Sequence, residues 1–147
     1  MDRLFLDANV LFSAAYRETA GIQRLWTRPG VRLLTSTYAV DEARRNLSHA
    51  SQRTRLDTLL EDVDVQAAGV LEPSLHGDVD LPEKDWPILS GAVLSEATHL
   101  ITGDVRDFGP YFGTTILGVL VLPPSDYLRS VSLAPGSLSS PAAGPPA

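Results

Sequence analysis

Three apolar residues that end on a carboxylate, Leu4-Phe5-Leu6-Asp7, constrain this chain more than any other stretch. The run is short and unbroken, and Ala8-Asn9-Val10-Leu11 follows at once in a helical pattern. Such a run suits a strand buried on both faces, as in the parallel sheet of an α/β protein. Asp7 then stands at the carboxyl end of that strand, where open α/β sheets hold their ligands. A second run, His99-Leu100-Ile101-Thr102, leads into Gly103-Asp104-Val105-Arg106-Asp107 in the same way. If the two strands are neighbours where the strand order reverses, Asp7 and Asp104 meet in space.

Strand and helix patterns alternate along the rest of the chain. Helical signals cover residues 9–16 and 19–27, and Pro29-Gly30 ends them. Residues 31–35 read as a second strand. Ser36 or Thr37 caps a helix running to about Leu47, with Ala39, Val40, Ala43 and Leu47 inward. A helix over 52–61, a third strand over 63–70 and a turn-rich stretch over 72–83 come next. Another helix starts near Asp85, with Pro87 tolerated in its first turn. A final strand covers 119–122, and a short helix begins at Pro123-Pro124-Ser125. Strands joined by helices pair in parallel through right-handed crossovers. The expected fold class is α/β, a three-layer α/β/α sandwich with a central, mostly parallel sheet. Residues 1–132 form the expected domain. Residues 133–147, all Leu, Ala, Pro, Gly or Ser, are expected to be a disordered tail.

Composition narrows the function classes. At 147 residues the chain suits one domain, and without cysteine it has neither disulfides nor thiolate metal ligands. Met1-Asp2-Arg3-Leu4-Phe5-Leu6-Asp7 reaches a carboxylate too soon for a signal peptide. No apolar stretch approaches the ~20 residues that span a bilayer, so a cytoplasmic protein with no membrane partner is expected. A net charge of −6 opposes nucleic-acid binding unless several carboxylates hold divalent ions. The basic residues are eleven arginines and one lysine, Lys84. Arg44, Arg45, Arg53 and Arg55 make either a solvated helix face or an RNA-contacting patch.

Asp7, Glu42, Asp85, Asp104 and Asp107 are the acids that this topology could gather. Two unit charges at 4 Å repel by roughly 4 kcal/mol at an effective dielectric of ~20. A fold keeps such a cluster when a divalent cation or a shared proton offsets the repulsion. Hard oxygen ligands without His or Cys favour Mg²⁺ or Mn²⁺ over zinc. Water activated by such an ion can cleave a phosphodiester. Each acid also has a structural role open to it. Asp7 could cap the helix at Ala8, and Asp85 could stabilise a helix start by ~0.3–1 kcal/mol. Glu42 competes with Asp41, and Asp107 could simply tie down its loop. Phe108, Tyr111 and Phe112 read as loop anchors. His49, His76 and His99 have no ligand or triad spacing.

The ordered set Leu6-Asp7-Ala8-Asn9-Val10-Leu11, Glu42-Ala43-Arg44-Arg45-Asn46-Leu47, Lys84-Asp85-Trp86-Pro87-Ile88-Leu89 and Thr102-Gly103-Asp104-Val105-Arg106-Asp107-Phe108 resembles the PIN domain. Gly118-Val119-Leu120-Val121-Leu122-Pro123-Pro124 resembles that family's last strand and the proline turn after it. The resemblance implies a Mg²⁺- or Mn²⁺-dependent ribonuclease, often the toxin of a VapC-type toxin–antitoxin pair. By motif, the family's acidic ligands fall on Asp7, Glu42, Asp85 and Asp104, with Asp107 as a variable fifth. Its supporting polar residues fall on Asn9 and Thr102. The expected partners are an RNA substrate, a cognate antitoxin protein and a second copy of the chain in a homodimer. The alternative is a catalytically silent PIN-like module that binds RNA or protein. A haloacid-dehalogenase-type phosphatase would need an aspartate where Asn9 stands, and a phosphoacceptor receiver would need a lysine after Lys84.

Overall fold

The structure, a computed structural model, describes residues 1–132. Six strands form one sheet: β1 Asp2–Leu6, β2 Val31–Ser36, β3 Asp64–Gln66, β4 His99–Ile101, β5 Thr115–Ile116 and β6 Val119–Leu122. Their order is β3-β2-β1-β4-β6-β5. All pairs are parallel except β5 with β6. The helices are α1 Ala8–Tyr16, α2 Thr37–Asn46, α3 Ala50–Leu60, α4 Trp86–Leu94 and α5 Pro124–Ser132. The architecture is the expected three-layer α/β/α sandwich.

β1 is central, which is why its apolar run does not alternate. Leu4, Phe5 and Leu6 are all fully buried, Phe5 on the sheet face opposite the other two. Over Phe5 lies Gly91 of α4, where a Cβ would come within 2.6 Å of the ring. That close approach explains a glycine in the middle of a helix. The inward set predicted for α2 holds: Ala39, Val40, Ala43 and Leu47 are buried, and the Ser36 hydroxyl caps the helix by accepting from the Ala39 N–H.

From β1 the chain builds outward through β2 and β3, then returns to start the other half at β4. β1 and β4 are therefore neighbours at the point where strand order reverses, with Leu6 opposite Ile101. That crevice lies at the carboxyl ends of both strands.

Three elements differ from expectation. The third strand has three residues, Asp64–Gln66, where 63–70 was expected. Its partner β2 ends at Ser36, opposite Gln66, because α2 starts there, so later residues have nothing to pair with. The helical signal over 19–27 resolves as a 3₁₀ segment, Gly21–Thr27. The two-residue β5 was not foreseen. It forms a hairpin with β6 through Leu117 and Gly118, both at positive φ (50° and 87°), as in a type I′ turn. The tail expected over 133–147 lies outside the described residues. No helix among the described residues is long and apolar enough to cross a membrane.

Candidate metal centre

Asp7 extends β1 by one residue, its N–H donating to the Ile101 carbonyl at 3.0 Å. The parallel register thus sets it beside Thr102. One carboxylate oxygen accepts from the Ala8 N–H at 2.6 Å and caps α1. The other accepts from the Thr102 hydroxyl at 2.8 Å and the Asn9 amide at 3.1 Å. Capping and facing the crevice are therefore not alternatives for Asp7, since it does both. Its donors are all neutral. Burial pushes its carboxyl up to about 6; the Thr102 and Ala8 hydrogen bonds oppose this, and the charges of Glu42 and Asp104 add to it.

The two supporting polar residues lock the strand ends together. Asn9 Oδ1 accepts from the Gly103 N–H at 2.8 Å, and Thr102 Oγ1 accepts from the Asp104 N–H at 3.1 Å. Beyond Asp104 the chain makes a tight turn. Asp104 Oδ1 accepts from the Asp107 N–H at 3.0 Å, and the Asp104 carbonyl from the Phe108 N–H at 3.1 Å. Fully buried Phe108 anchors this turn. Tyr111 helps, its hydroxyl accepting from the Asp80 N–H at 2.7 Å. The turn delivers Asp107 to Asp85, so that carboxylate oxygens of Asp85, Asp104 and Asp107 all lie within 4.8 Å of one another.

Asp85 closes a 3₁₀ turn, Glu83–Asp85, and precedes α4. Its side chain makes no capping bond to that helix. It faces Lys84 and Asp107 instead, which weakens the simple helix-start account of this acid. Burial, then a hydrogen bond with Asp107, pushes its carboxyl up to about 6, and the Lys84 ammonium pulls the other way. Asp107 is held below its ordinary value, first by its hydrogen bond from Lys84 and then by that with Asp85.

Glu42 is half-buried while Asp41 is exposed. Glu42 faces a cleft of about 250 Å³ lined by Ala8, Asn9, Phe12 and Asn46. Its charge reaches Asp7 and Tyr38, but Glu42 and Asp7 both stand outside the group of three aspartates. Of the four arginines, Arg44 pairs with Asp57 at 2.8 Å and Arg55 donates to the Ala15 carbonyl at 2.6 Å. Arg45 and Arg53 are exposed, and the Arg45 charge is felt at Tyr38, beside the acidic group.

A divalent cation fits this donor set. The converging side chains are carboxylates, with no histidine among them, as hard ions require. Asp7 and Glu42 have no ion-pair partner among the described residues. Another cleft, of about 740 Å³, opens among Met1, Trp26, Val31 and Asp64 and includes none of these acids.

Two participants had no role in the sequence reading. Lys84 donates to Asp107 at 2.9 Å and to Asp85 at 3.2 Å. Tyr38 donates its hydroxyl to the Lys84 carbonyl at 2.8 Å. The signal for the first was compositional: one lysine among eleven arginines, next to a proposed ligand.

No family model matches the sequence, and no curated protein does. Among solved structures, a chain of VapBC2 from Rickettsia felis, bound to a DNA fragment from their promoter, aligns with a TM-score of 0.60 at 14% identity. The match covers 82% of this chain and 98% of that one. A chain of VapBC-1 from nontypeable Haemophilus influenzae aligns with a TM-score of 0.53 at 18% identity, covering 84% and 98%. At such identities the likeness is one of fold, and it is the PIN-like fold that the motif order led one to expect.

Proposed function

We propose that this chain, which has the PIN-like fold of VapBC structures, is a ribonuclease dependent on Mg²⁺ or Mn²⁺. The observation that carries this reading is the convergence of acids from separate segments at the switch point of the sheet, with buried Asp7 supplied only with neutral donors. Asp7, Glu42, Asp85 and Asp104 would hold the ion, with Asp107 beside them. When bound, the ion supplies Lewis-acid stabilisation of phosphate charge and a water acidic enough to attack phosphorus.

The chain's own residues do the rest. Thr102 and Asn9 fix the Asp7 oxygen that faces the crevice. The Asp104 turn fixes Asp107, and Arg45 and Arg53 are the exposed cations of the proposed RNA patch. The biological setting proposed is a cytoplasmic toxin of a VapC-type pair, with a cognate antitoxin and a homodimeric form as its protein partners. The test is cleavage of labelled structured RNA by the purified chain, with filter binding of the same RNA alongside. Cleavage that needs Mg²⁺ or Mn²⁺ and stops with chelator is expected. RNA binding with no cleavage under any divalent ion would replace this reading with the silent binding module.

A further inference from the structure

The acidic group already contains a cation. Lys84 Nζ lies 2.9 Å from Asp107 Oδ2, and 3.2 Å and 3.4 Å from the two oxygens of Asp85. These are two of the three aspartates whose oxygens converge within 4.8 Å. On the other side, Asp7 and Asp104 are joined through Thr102, whose hydroxyl donates to one and accepts from the other's N–H. No ammonium or guanidinium reaches Asp7 or Asp104 among the described residues.

We propose that the Lys84 ammonium acts as a tethered cation on the Asp85–Asp107 edge of the proposed ligand set, so that the site takes one divalent ion, seated toward Asp7 and Asp104, and not two. The inference rests on the metal-centre reading and sharpens it from a donor set to a stoichiometry.

The backbone is built to hold the ammonium there. The Lys84 carbonyl is pinned to α2 by the Tyr38 hydroxyl, and the Asp85 N–H donates to the Pro82 carbonyl at 2.9 Å. Asp107 is in turn pinned by the Asp104 turn. Lys84 is thus aimed from one fixed turn at an acceptor on another. An ammonium suits the place where a guanidinium would not. It is a compact point charge with three donors that can turn to the three oxygens it reaches, whereas the donors of arginine are fixed in a larger planar fork. A second divalent ion would have to take the Asp85 and Asp107 oxygens from Lys84 and then sit against the displaced positive charge. Most of the Lys84 side chain is solvent-exposed (68%), so replacing it leaves no buried hole.

The test is titration of metal-free full-length chain with Mn²⁺, followed by calorimetry and by electron paramagnetic resonance, with Lys84→Gln and Lys84→Met beside the wild type. Thermal melts check that each variant folds. The wild type should bind one Mn²⁺ per chain, with the spectrum of an isolated ion. Each variant should bind a second ion and give the broadened spectrum of a spin-coupled pair. Two ions on the wild type overturn the proposal even if both variants fail to fold. A single ion on a folded variant, at wild-type affinity, also overturns it while leaving the metal centre standing. No binding by wild type or variant removes the metal centre itself, and the proposal with it.

Discussion

Asp7 and Asp85 invite comparison because they look alike and are solved differently. Both are buried acids at the start of a helix, and both carboxyls are pushed up to about 6 by burial. Asp7 caps its helix and has only neutral donors. Asp85 makes no cap bond and faces an ammonium and a second carboxyl group. The Asp85 side has one ammonium set against its two carboxylates, whereas the Asp7 side is held in shape with no cation among the described residues. A site made ready for an external cation has that second character.

The largest test of this contrast is catalytic. Asp104→Asn keeps size and the capacity to accept the Asp107 N–H, and asparagine tolerates turns well. It removes one charge on the unbalanced side. Metal-dependent cleavage should fall at least a hundredfold, about 2.7 kcal/mol in barrier. RNA binding should persist or strengthen, because a phosphate-repelling charge is gone. Asp85→Asn, on the side that Lys84 neutralises, should lose less. Wild-type cleavage by Asp104→Asn with metal still required would break the comparison at its centre.

The pH dependence of stability is next in size. An acid whose carboxyl is raised from 3.8 to about 6 on folding lends stability that is complete below pH ~4 and lost as pH rises through 6. At 1.36 kcal/mol per pKa unit, the ionised Asp7 costs the metal-free fold up to about 3 kcal/mol. In chelator, Asp7→Asn should match wild type near pH 4 and exceed it by ~1–3 kcal/mol at pH 8 in urea unfolding. Mg²⁺ at a hundredfold excess over its dissociation constant should then stabilise the wild type by ~2.7 kcal/mol and the variant by much less. A variant with no advantage at pH 8, or an equal response to Mg²⁺, would show that Asp7 is not the unbalanced charge.

The same contrast explains what the sequence disclosed. The Asp7–Asp104 side was legible because it follows from two apolar runs in parallel register: once β1 and β4 are neighbours, Leu6 opposite Ile101 puts Asp7 beside Thr102. The Asp85 side was only half legible. Asp85 was named, but whether it caps or ligates depends on where its carboxylate points, and that is decided by the Asp104–Phe108 turn some twenty residues away (Asp107 is 23 residues from Lys84). A lysine next to an aspartate in a turn reads as a solvated pair until that turn folds over it. Short strands failed for a related reason. β5 has two residues and owes its existence to its partner β6, and β3 stops where β2 runs out. Closeness in sequence sets Arg44, Arg45, Arg53 and Arg55 together, and the fold adds what it could not show: Arg44 pairs with Asp57 and Arg55 donates to the Ala15 carbonyl.

A smaller effect is expected at Thr102, the hinge between Asp7 and Asp104. Thr102→Val keeps the branched shape and removes a buried hydroxyl that donates to Asp7 at 2.8 Å and accepts from the Asp104 N–H at 3.1 Å. The loss should be ~1–3 kcal/mol, since both groups are left less satisfied. Because the Thr102 hydrogen bond lowers the Asp7 carboxyl value, that value should rise further, and the onset of Mn²⁺ binding should move to higher pH. A destabilised variant with an unmoved pH profile would make Thr102 a packing residue and nothing more.

The smallest predicted effect isolates the Asp85 side. Tyr38→Phe removes the hydroxyl that donates to the Lys84 carbonyl at 2.8 Å and keeps the ring. Tyr38 is half-buried and the bond is exposed, so water can replace the lost donor in part. Stability should fall by ~0.5–1 kcal/mol in urea. What the change should loosen is the aim of Lys84, not the strand ends that fix Asp7. Affinity for the first Mn²⁺ should therefore stay within about twofold of wild type, a difference of roughly 0.4 kcal/mol. With Lys84 less firmly held, weak binding of a second ion should begin at high Mn²⁺, between the wild type with one and Lys84→Gln with two. If Tyr38→Phe instead weakens the first ion as strongly as Thr102→Val does, the two halves of the cluster are one coupled unit and the contrast between Asp7 and Asp85 fails.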